Sequence, residues 1–257
     1  IKIRKKNVIL TIRGGAFLEF EKKNPKLVNF VFSKADYIHT PSKMIQSYFL
    51  SKNYNIGYLP NAVDIKRFPY KRDVTNPFSI LWVRAFDKIY NPEIAIKLLN
   101  LAKTDFPKAR LTMVGPDKGL LRKCKNLANE LDILGFIDFV GPVPNDELFH
   151  YYQSHSVYLN TTSYESFGNA ILEAAACGIP ILSSQVGEIP LLWQKNREIL
   201  LVDSIDERSY FIELKKIFTN KDLKITLSKM AYKKSKNFSI ESISDDWAKI
   251  INKLSIS

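Results

Sequence analysis

The chain has 257 residues, 46% of them hydrophobic and 25% charged, the balance of a globular protein and not of a disordered or collagen-like one. Its 38 Lys and Arg against 26 Asp and Glu leave a formal charge of +12. No apolar run approaches the roughly 20 residues that span a bilayer, and the two cysteines, Cys124 and Cys177, are too few for a disulfide framework and lack metal-ligand spacing.

A short apolar strand is expected over 8–12, meeting the turn Arg13-Gly14-Gly15, and no secretory leader is expected in the residues before it. Residues 41–50 are expected to be helical, with Pro41 in the first turn. A short strand over 55–59 ends at Pro60-Asn61, and a polar, Pro-bearing linker runs to Pro77. From there strand and helix alternate. Strands over 79–84, 110–114, 137–140, 157–160, 181–184 and 199–202 are each followed by a helix, over 92–103, 119–131, 146–153, 169–177, 189–193 and 207–218. Strands such as Ile80-Leu81-Trp82-Val83 are apolar on both faces, as in a parallel sheet covered by helices on both sides. Two more helices follow, over 221–236 and 240–254.

The expected fold class is therefore α/β: one complete Rossmann-like, doubly wound parallel-sheet domain and a partial second one. The expected boundaries are 1–76 for the partial domain and linker, 77–238 for the complete domain and 239–257 for a closing helix. Ligands in such sheets bind beyond the carboxyl ends of the strands, which directs attention to Arg84, Gly115, Gly141 and the loop after Asn160. A first domain of ordinary size needs roughly 100 residues more than 1–76 supply, so the chain is expected to be incomplete at its amino end.

The charge is uneven. Residues 1–76 carry fifteen Lys and Arg and five Asp and Glu, a net +10, whereas 77–257 carry twenty-three and twenty-one, a net +2. The basic clusters are Lys2 to Lys6, Lys22-Lys23 with Lys26, Lys66-Arg67 and Lys71-Arg72, with a later one at Lys233-Lys234 and Lys236. The first third is either a solvated lysine-rich surface or a face for an acidic partner, an anionic membrane or a phosphorylated acceptor. No nucleic-acid-binding signature accompanies the charge.

The most informative segment follows the strand over 157–160: Thr161-Thr162-Ser163-Tyr164-Glu165-Ser166-Phe167-Gly168-Asn169-Ala170-Ile171-Leu172-Glu173-Ala174-Ala175-Ala176-Cys177-Gly178-Ile179-Pro180. Glu165 sits in the loop and Glu173 one turn into the helix, so both can face one cleft. Gly168 lets a ligand approach the backbone, and the free amides around 167–170 form a positive helix terminus suited to phosphate. A carboxylate one turn further can accept two ribose hydroxyls. The competing reading makes Glu165 a helix-end charge and Glu173 an exposed helix residue.

The segment Glu165-Ser166-Phe167-Gly168 with Glu173-Ala174-Ala175-Ala176-Cys177-Gly178-Ile179-Pro180 resembles the retaining nucleotide-sugar glycosyltransferases of family four, the glycosyl transferases group 1, which have the GT-B architecture. Pro60-Asn61-Ala62-Val63-Asp64 with Phe68, then Leu111-Thr112-Met113-Val114-Gly115, Phe139-Val140-Gly141-Pro142-Val143-Pro144 and Phe238-Ser239 resemble further pieces of that family in the same order. The resemblance implies a sugar transferred from a UDP- or GDP-sugar to a saccharide or lipid-linked cell-envelope acceptor with retention of anomeric configuration. It implies a closing helix that crosses back to the first domain. The two unpaired cysteines point to a reduced, cytoplasmic setting, and the charge of 1–76 to a place peripheral on the inner membrane face if its acidic partner is a membrane.

The resemblance assigns roles. Glu173 holds the ribose diol, and Glu165 contacts the transferred sugar or supports positive charge at its anomeric carbon. Ser166, Phe167, Gly168 and Asn169 offer backbone contacts to sugar and β-phosphate. Gly115 joins the donor side, and the Val143 loop borders the nucleobase. An Arg/Lys pair, Arg84 with Lys88, stands in for a metal at the departing diphosphate, and no metal or other cofactor is required. The family places its lysine just before the next helix, which in this sequence is Tyr90. Either Lys88 reaches in from a longer loop, or Arg84 acts with Tyr90. On the acceptor side, Arg13-Gly14 occupies the place of the family's His-Gly. An arginine there is no general base, but it binds an anionic sugar or acceptor phosphate. His39, His150 and His155 fall outside these motifs. The alternative function is a non-catalytic nucleotide-sugar-binding module or a half-enzyme that needs a partner domain. Phosphorylase-like chemistry on the same fold lacks an identifiable phosphate or cofactor lysine site.

Overall fold

The computed structural model describes residues 6–70 and 73–256, so Lys2 to Lys5 and Lys71-Arg72 of the basic clusters lie outside the described residues. Two parallel sheets organise the chain. The first has strands β1 (Ile9–Thr11), β2 (Tyr37–Thr40) and β3 (Gly57–Tyr58) in that spatial order. Helices α1 (Ala16–Lys23), α2 (Pro25–Phe32) and α3 (Lys43–Leu50) accompany it. Aromatic packing fills its core: the Phe32 ring lies 5.3 Å from Phe49 and 5.1 Å from Tyr54. β2 is not expected from the sequence. Its polar His39 and Thr40 hide a strand whose burial comes from lying between β1 and β3. The expected 41–50 helix starts later, because Ser42 is extended and caps α3 by accepting from the Ile45 amide at 3.2 Å, which leaves Pro41 outside.

The second sheet has six strands: β4 (Ser79–Val83), β5 (Arg110–Val114), β6 (Ile137–Gly141), β7 (Val157–Asn160), β8 (Ile181–Ser184) and β9 (Leu200–Val202). Their spatial order is β6-β5-β4-β7-β8-β9, all parallel. Between them lie α4 (Pro92–Asp105), α5 (Leu121–Glu130), α6 (Leu148–Ser154), α7 (Asn169–Ala176) and α8 (Ile189–Leu192). Then come α9 (Glu207–Thr219), α10 (Lys221–Ser235) and α11 (Ile240–Ile256). The chain winds outward from β4 to β6 and then returns to place β7 against β4. The strand order reverses there, and a crevice opens above the strand ends.

Alternation along β4 feeds two cores. Leu81 and Val83 join the face covered by the alanine-rich α7, while Ile80 and Trp82 join the face covered by α4 and α9. Trp82 is fully buried, and its indole N–H donates to Thr161 Oγ at 2.9 Å. The two sheets are joined near residue 63, where Val63 pairs with Ser239 and α11 returns along the first sheet. There the Trp247 ring stands edge-on to His39 at 4.9 Å.

Trp82→Ala is expected to cost about 3–5 kcal/mol of stability, the range for deleting a buried large aromatic side chain, read from urea unfolding. A loss near zero would mean that the β4 layer does not hold the second core together.

Candidate active site

The site begins where β4 and β7 end. Arg84 follows β4 directly, and its Nε donates to Asn160 Oδ1 at 3.2 Å, so the last residue of the neighbouring strand aims the guanidinium. Its Nη2 donates to Glu165 Oε2 at 2.7 Å in an ion pair whose side chains are only 12% and 13% exposed. Burial opposes the charge on Arg84, but Tyr158 and the Glu165 carboxylate outweigh it and hold its pKa above the ordinary value. Gly115 has φ +146°, and a Cβ there would lie 1.9 Å from the Arg84 carbonyl oxygen. Gly115 therefore lets the β5 loop pass directly against the backbone of Arg84, which gives it a supporting place beneath the arginine.

Loop 88–91 is held against loop 161–163. The Asn91 amide donates to the Thr161 carbonyl at 2.9 Å, Thr161 Oγ to the Tyr90 carbonyl at 2.6 Å, and the Ser163 amide to the Ile89 carbonyl at 2.7 Å. Asn91 takes up φ +45° between the 3-10 turn Lys88–Tyr90 and α4. This places the Tyr90 ring 5.3 Å from the Arg84 guanidinium carbon. Lys88 is exposed at the head of the turn, and no hydrogen bond or ion pair among the described residues joins its ammonium to the pair. Of the two candidates for the second cation position, the fold brings Tyr90 to Arg84.

The loop before α7 folds around Glu165. Its Oε1 accepts from the amides of Ser166 at 3.1 Å and Phe167 at 3.4 Å, so those two amides are engaged by the carboxylate itself. Phe167 is buried, its ring 5.9 Å from Phe238. Gly168 takes φ +94°, and α7 starts at Asn169 with first-turn amides that have no intrahelical acceptor. Glu173 lies one turn along α7, where it accepts from Asn145 Nδ2 at 3.2 Å and from the Tyr152 hydroxyl at 3.1 Å. Burial raises its pKa above the usual carboxylate value, against the opposing pull of those two hydrogen bonds and of Arg84. Val143 packs partly buried at the edge of this core, in the loop that carries Asn145.

The first domain faces this cluster. A cavity of about 350 Å³ is lined by Arg13, His39, Pro60, Asn61, Asn169 and Trp247, among others. Asn61 donates to Asn169 at 2.9 Å across it. His39 bonds Thr11 at 2.8 Å through Nε2, while its buried Nδ1 has no hydrogen-bond partner. Burial and the nearby Arg13 charge lower its pKa. Gly14 is exposed at the mouth of the loop, and its carbonyl accepts from the Phe17 amide at 3.0 Å. A larger cavity of about 640 Å³, lined by Thr112, Asp138 and His155, lies over the β5–β6 edge, and none of Arg84, Glu165 and Glu173 borders it.

Several contributors escaped the sequence reading. Asn145 and Tyr152 lie in an ordinary-looking turn and helix, and only the tertiary fold brings them to Glu173. Glu188 sits in a Gly-Glu-Ile-Pro turn with no motif value, yet its carboxylate is fully buried against α3. His39 falls outside every motif, yet it is buried and lines the cavity beside Arg13.

Two Rossmann-like units with a cleft at the strand ends, tied by a returning carboxy-terminal helix, define a GT-B-type fold, complete here in its second unit and partial in its first. Residues 63–235, more than half of the chain, match the family described as glycosyl transferases group 1, and the chain belongs to that family. It is 25% identical over 217 residues to the D-inositol 3-phosphate glycosyltransferase of Corynebacterium jeikeium, covering 77% of this chain and 52% of that protein. It is 32% identical over 140 residues to the Corynebacterium urealyticum protein of the same name, covering 53% and 33%. The chain thus spans about half, or less, of the length of these curated relatives. Among solved structures, Anabaena HepE in complex with UDP and glucose superposes with a TM-score of 0.84 at 16% identity, over 98% of this chain and 73% of that one. The sucrose-phosphate synthase of Thermosynechococcus elongatus does so with a TM-score of 0.82 at 20% identity, over 99% and 70%. These likenesses establish the fold.

The raised pKa of Glu173 has a sign. The folded chain binds this proton more tightly than the unfolded one, so the carboxyl stabilises the fold fully below about 4.5, and that contribution is lost as pH rises through the folded pKa. Thermal melting from about pH 4.5 to pH 7 should therefore show a steeper loss of Tm in the wild type than in Glu173→Gln. Parallel profiles would remove Glu173 as a destabilised carboxylate.

Proposed function

We propose that the cleft binds a nucleotide-diphosphate sugar, a UDP- or GDP-sugar, and transfers its sugar with retention to a saccharide or lipid-linked acceptor. The observation that carries this is the nearly buried Arg84–Glu165 pair at the β4/β7 strand ends, set against the N-terminus of α7 with Glu173 one turn along it. The bond that breaks joins the anomeric carbon to the diphosphate oxygen. Arg84 donates to the oxygens on which negative charge develops, with the Tyr90 ring packed on it and the first-turn amides of α7 adding positive potential. This reading needs no metal. Glu165 lies beside the same arginine and supports the positive charge that develops at the anomeric carbon. Glu173, held by Asn145 and Tyr152, accepts the ribose hydroxyls, while Val143 borders the base. The acceptor oxygen attacks from the face that the diphosphate leaves, and its proton passes to the departing phosphate oxygen.

The acceptor side is the 350 Å³ cavity. Its lining has a cationic Arg13, an unpartnered His39 nitrogen and no carboxylate, which favours an acceptor with an anionic group. The D-inositol 3-phosphate glycosyltransferases by their name act on such a compound, and that supports the reading for this chain. On the outside of the first domain, Phe20, Leu27, Phe30 and Val31 are exposed among Lys22, Lys23, Lys26 and Lys34. Apolar rings amid lysines suit an anionic lipid surface, where each basic residue contributes about 1 kcal/mol. The second reading is a non-catalytic nucleotide-sugar-binding module or a half-enzyme that needs a partner domain.

Calorimetry with UDP and GDP should detect nucleotide binding, and Glu173→Ala should weaken it by about 1.5–3 kcal/mol per charged hydrogen bond lost. Release of UDP or GDP from a panel of sugar donors, unaffected by EDTA, tests the transfer. Binding without turnover on any envelope extract would leave the binding module, and strong loss in EDTA would overturn the metal-free account. Vesicles of anionic phospholipid should co-sediment the protein in low salt and release Phe30→Ser/Lys26→Glu. Equal partition of both proteins would exclude this surface from membrane contact.

A further inference from the structure

Glu188 is a carboxylate with no exposed surface, carried by the second domain and satisfied entirely by the first. Its Oε2 accepts from Ser42 Oγ at 2.8 Å and from the Met44 amide at 3.0 Å, and its Oε1 accepts from the Lys43 amide at 2.8 Å. These are the N-cap and first-turn donors of α3, the groups that a helix leaves without intrahelical partners and where negative charge is favoured. A buried carboxylate that accepts three hydrogen bonds holds its geometry far more firmly than a surface contact.

The backbone of the same residue touches the candidate catalytic loop. The Glu188 amide donates to the Glu165 carbonyl at 2.9 Å. Gly187 has φ +55°, and a Cβ there would lie 2.1 Å from that same carbonyl oxygen, so the two segments are in direct contact. One residue earlier, Tyr164 lays its ring on Gly15, where a Cβ would lie 1.9 Å from the phenol oxygen. The first domain therefore holds the 164–165 segment at two points: Gly15 beneath Tyr164, and the head of α3 around Glu188.

We propose that Glu188 is a positioning residue: its carboxylate latches the second domain onto the N-terminus of α3, and closure of the cleft is passed through its amide to Glu165. The latch rests on the cross-domain geometry, and its effect on turnover rests on the transferase reading above. When the domains part, the carboxylate loses all three donors together and Tyr164 loses Gly15, so the 187–188 segment that backs Glu165 is no longer anchored. When they close, Glu165 is held between Arg84 on one side and the 187–188 segment on the other. The site is then complete only in the closed form, which makes turnover, and not nucleotide affinity, the quantity that depends on Glu188.

The test uses Lys26→Cys with Lys221→Cys, one exposed position in each domain, spin-labelled for distance measurement. The native Cys124 and Cys177 are buried, and burial pushes the Cys124 thiol up to about 12, so both resist labelling. The expected result is a narrow distance distribution in the parent and a broader, longer one in Glu188→Ala. Glu188→Gln should fall between the two, because its one oxygen can still accept from Ser42 and Met44 while its NH2 faces the Lys43 amide, which it cannot accept from. In turnover, Glu188→Ala should lower kcat about tenfold to a hundredfold, the scale of a loop displaced by about 1 Å, with UDP affinity unchanged and partial rescue in Glu188→Gln. Should Glu188→Ala fail to fold, Ser42→Ala, which removes one of the three donors, should give the intermediate broadening. An unaltered distance distribution in Glu188→Ala or Ser42→Ala overturns the latch, and so does a loss of UDP affinity equal to the loss of kcat. A parent that never turns over sinks the transferase reading alone, since the distance measurement still decides the latch.

Discussion

The ion pair between Arg84 and Glu165 is the interaction on which the rest of the site depends. Its place follows from topology. The chain winds outward from β4 and returns to lay β7 against β4, so the ends of these two strands meet. A residue just past one strand and a loop just past the other are then within hydrogen-bond reach, although 81 positions separate them in sequence. The pair is nearly buried and therefore needs every remaining polar atom satisfied. Asn160 supplies the partner for the arginine, and the Ser166 and Phe167 amides supply those for the glutamate. These partners fix the orientation of the arginine at the mouth of the cleft.

Around that pair the two carboxylates of the loop-helix segment occupy different environments. Glu165 is paired with a cation. Glu173 lies one turn further, partly buried, held by an amide and a phenol, with its pKa raised by burial. Two glutamates eight positions apart thus sit in different surroundings, one paired with a permanent charge and the other hydrogen-bonded by Asn145 and Tyr152. The first domain adds a cavity with the opposite bias, lined by Arg13 and His39 and free of acids. Of the described lysines and arginines in 1–76, Arg13 is the one that lines this cavity.

Glu188 shows how the halves are joined. Burial of a charge is costly unless its hydrogen bonds are complete, and this carboxylate completes them only by reaching the head of α3. The returning α11 closes the far side with Trp247 on His39. The interface is therefore held by a few specific polar and aromatic contacts, the kind of interface across which domains move as units.

The sequence by itself determined the strand-helix alternation from residue 77 onward, the parallel sheet and the segment that carries Glu165 and Glu173. Each of these is a local pattern: apolar runs of strand length, helical periodicity, a glycine before a helix. It also supplied the ordered family motifs and the concentration of charge in the first third. It did not yield β2, because four residues with a histidine and a threonine carry no apolar alternation, and their burial comes from neighbouring strands. Nor could it say which of Lys88 and Tyr90, two positions apart, lies against Arg84, since that depends on Asn91 turning left-handed and tying the loop to Thr161. Asn145, Tyr152 and Glu188 were equally silent, being polar residues whose partners lie 21 to 146 positions away. Local free-energy preferences are written in adjacent residues, whereas the satisfaction of a buried charge is settled only when distant segments meet.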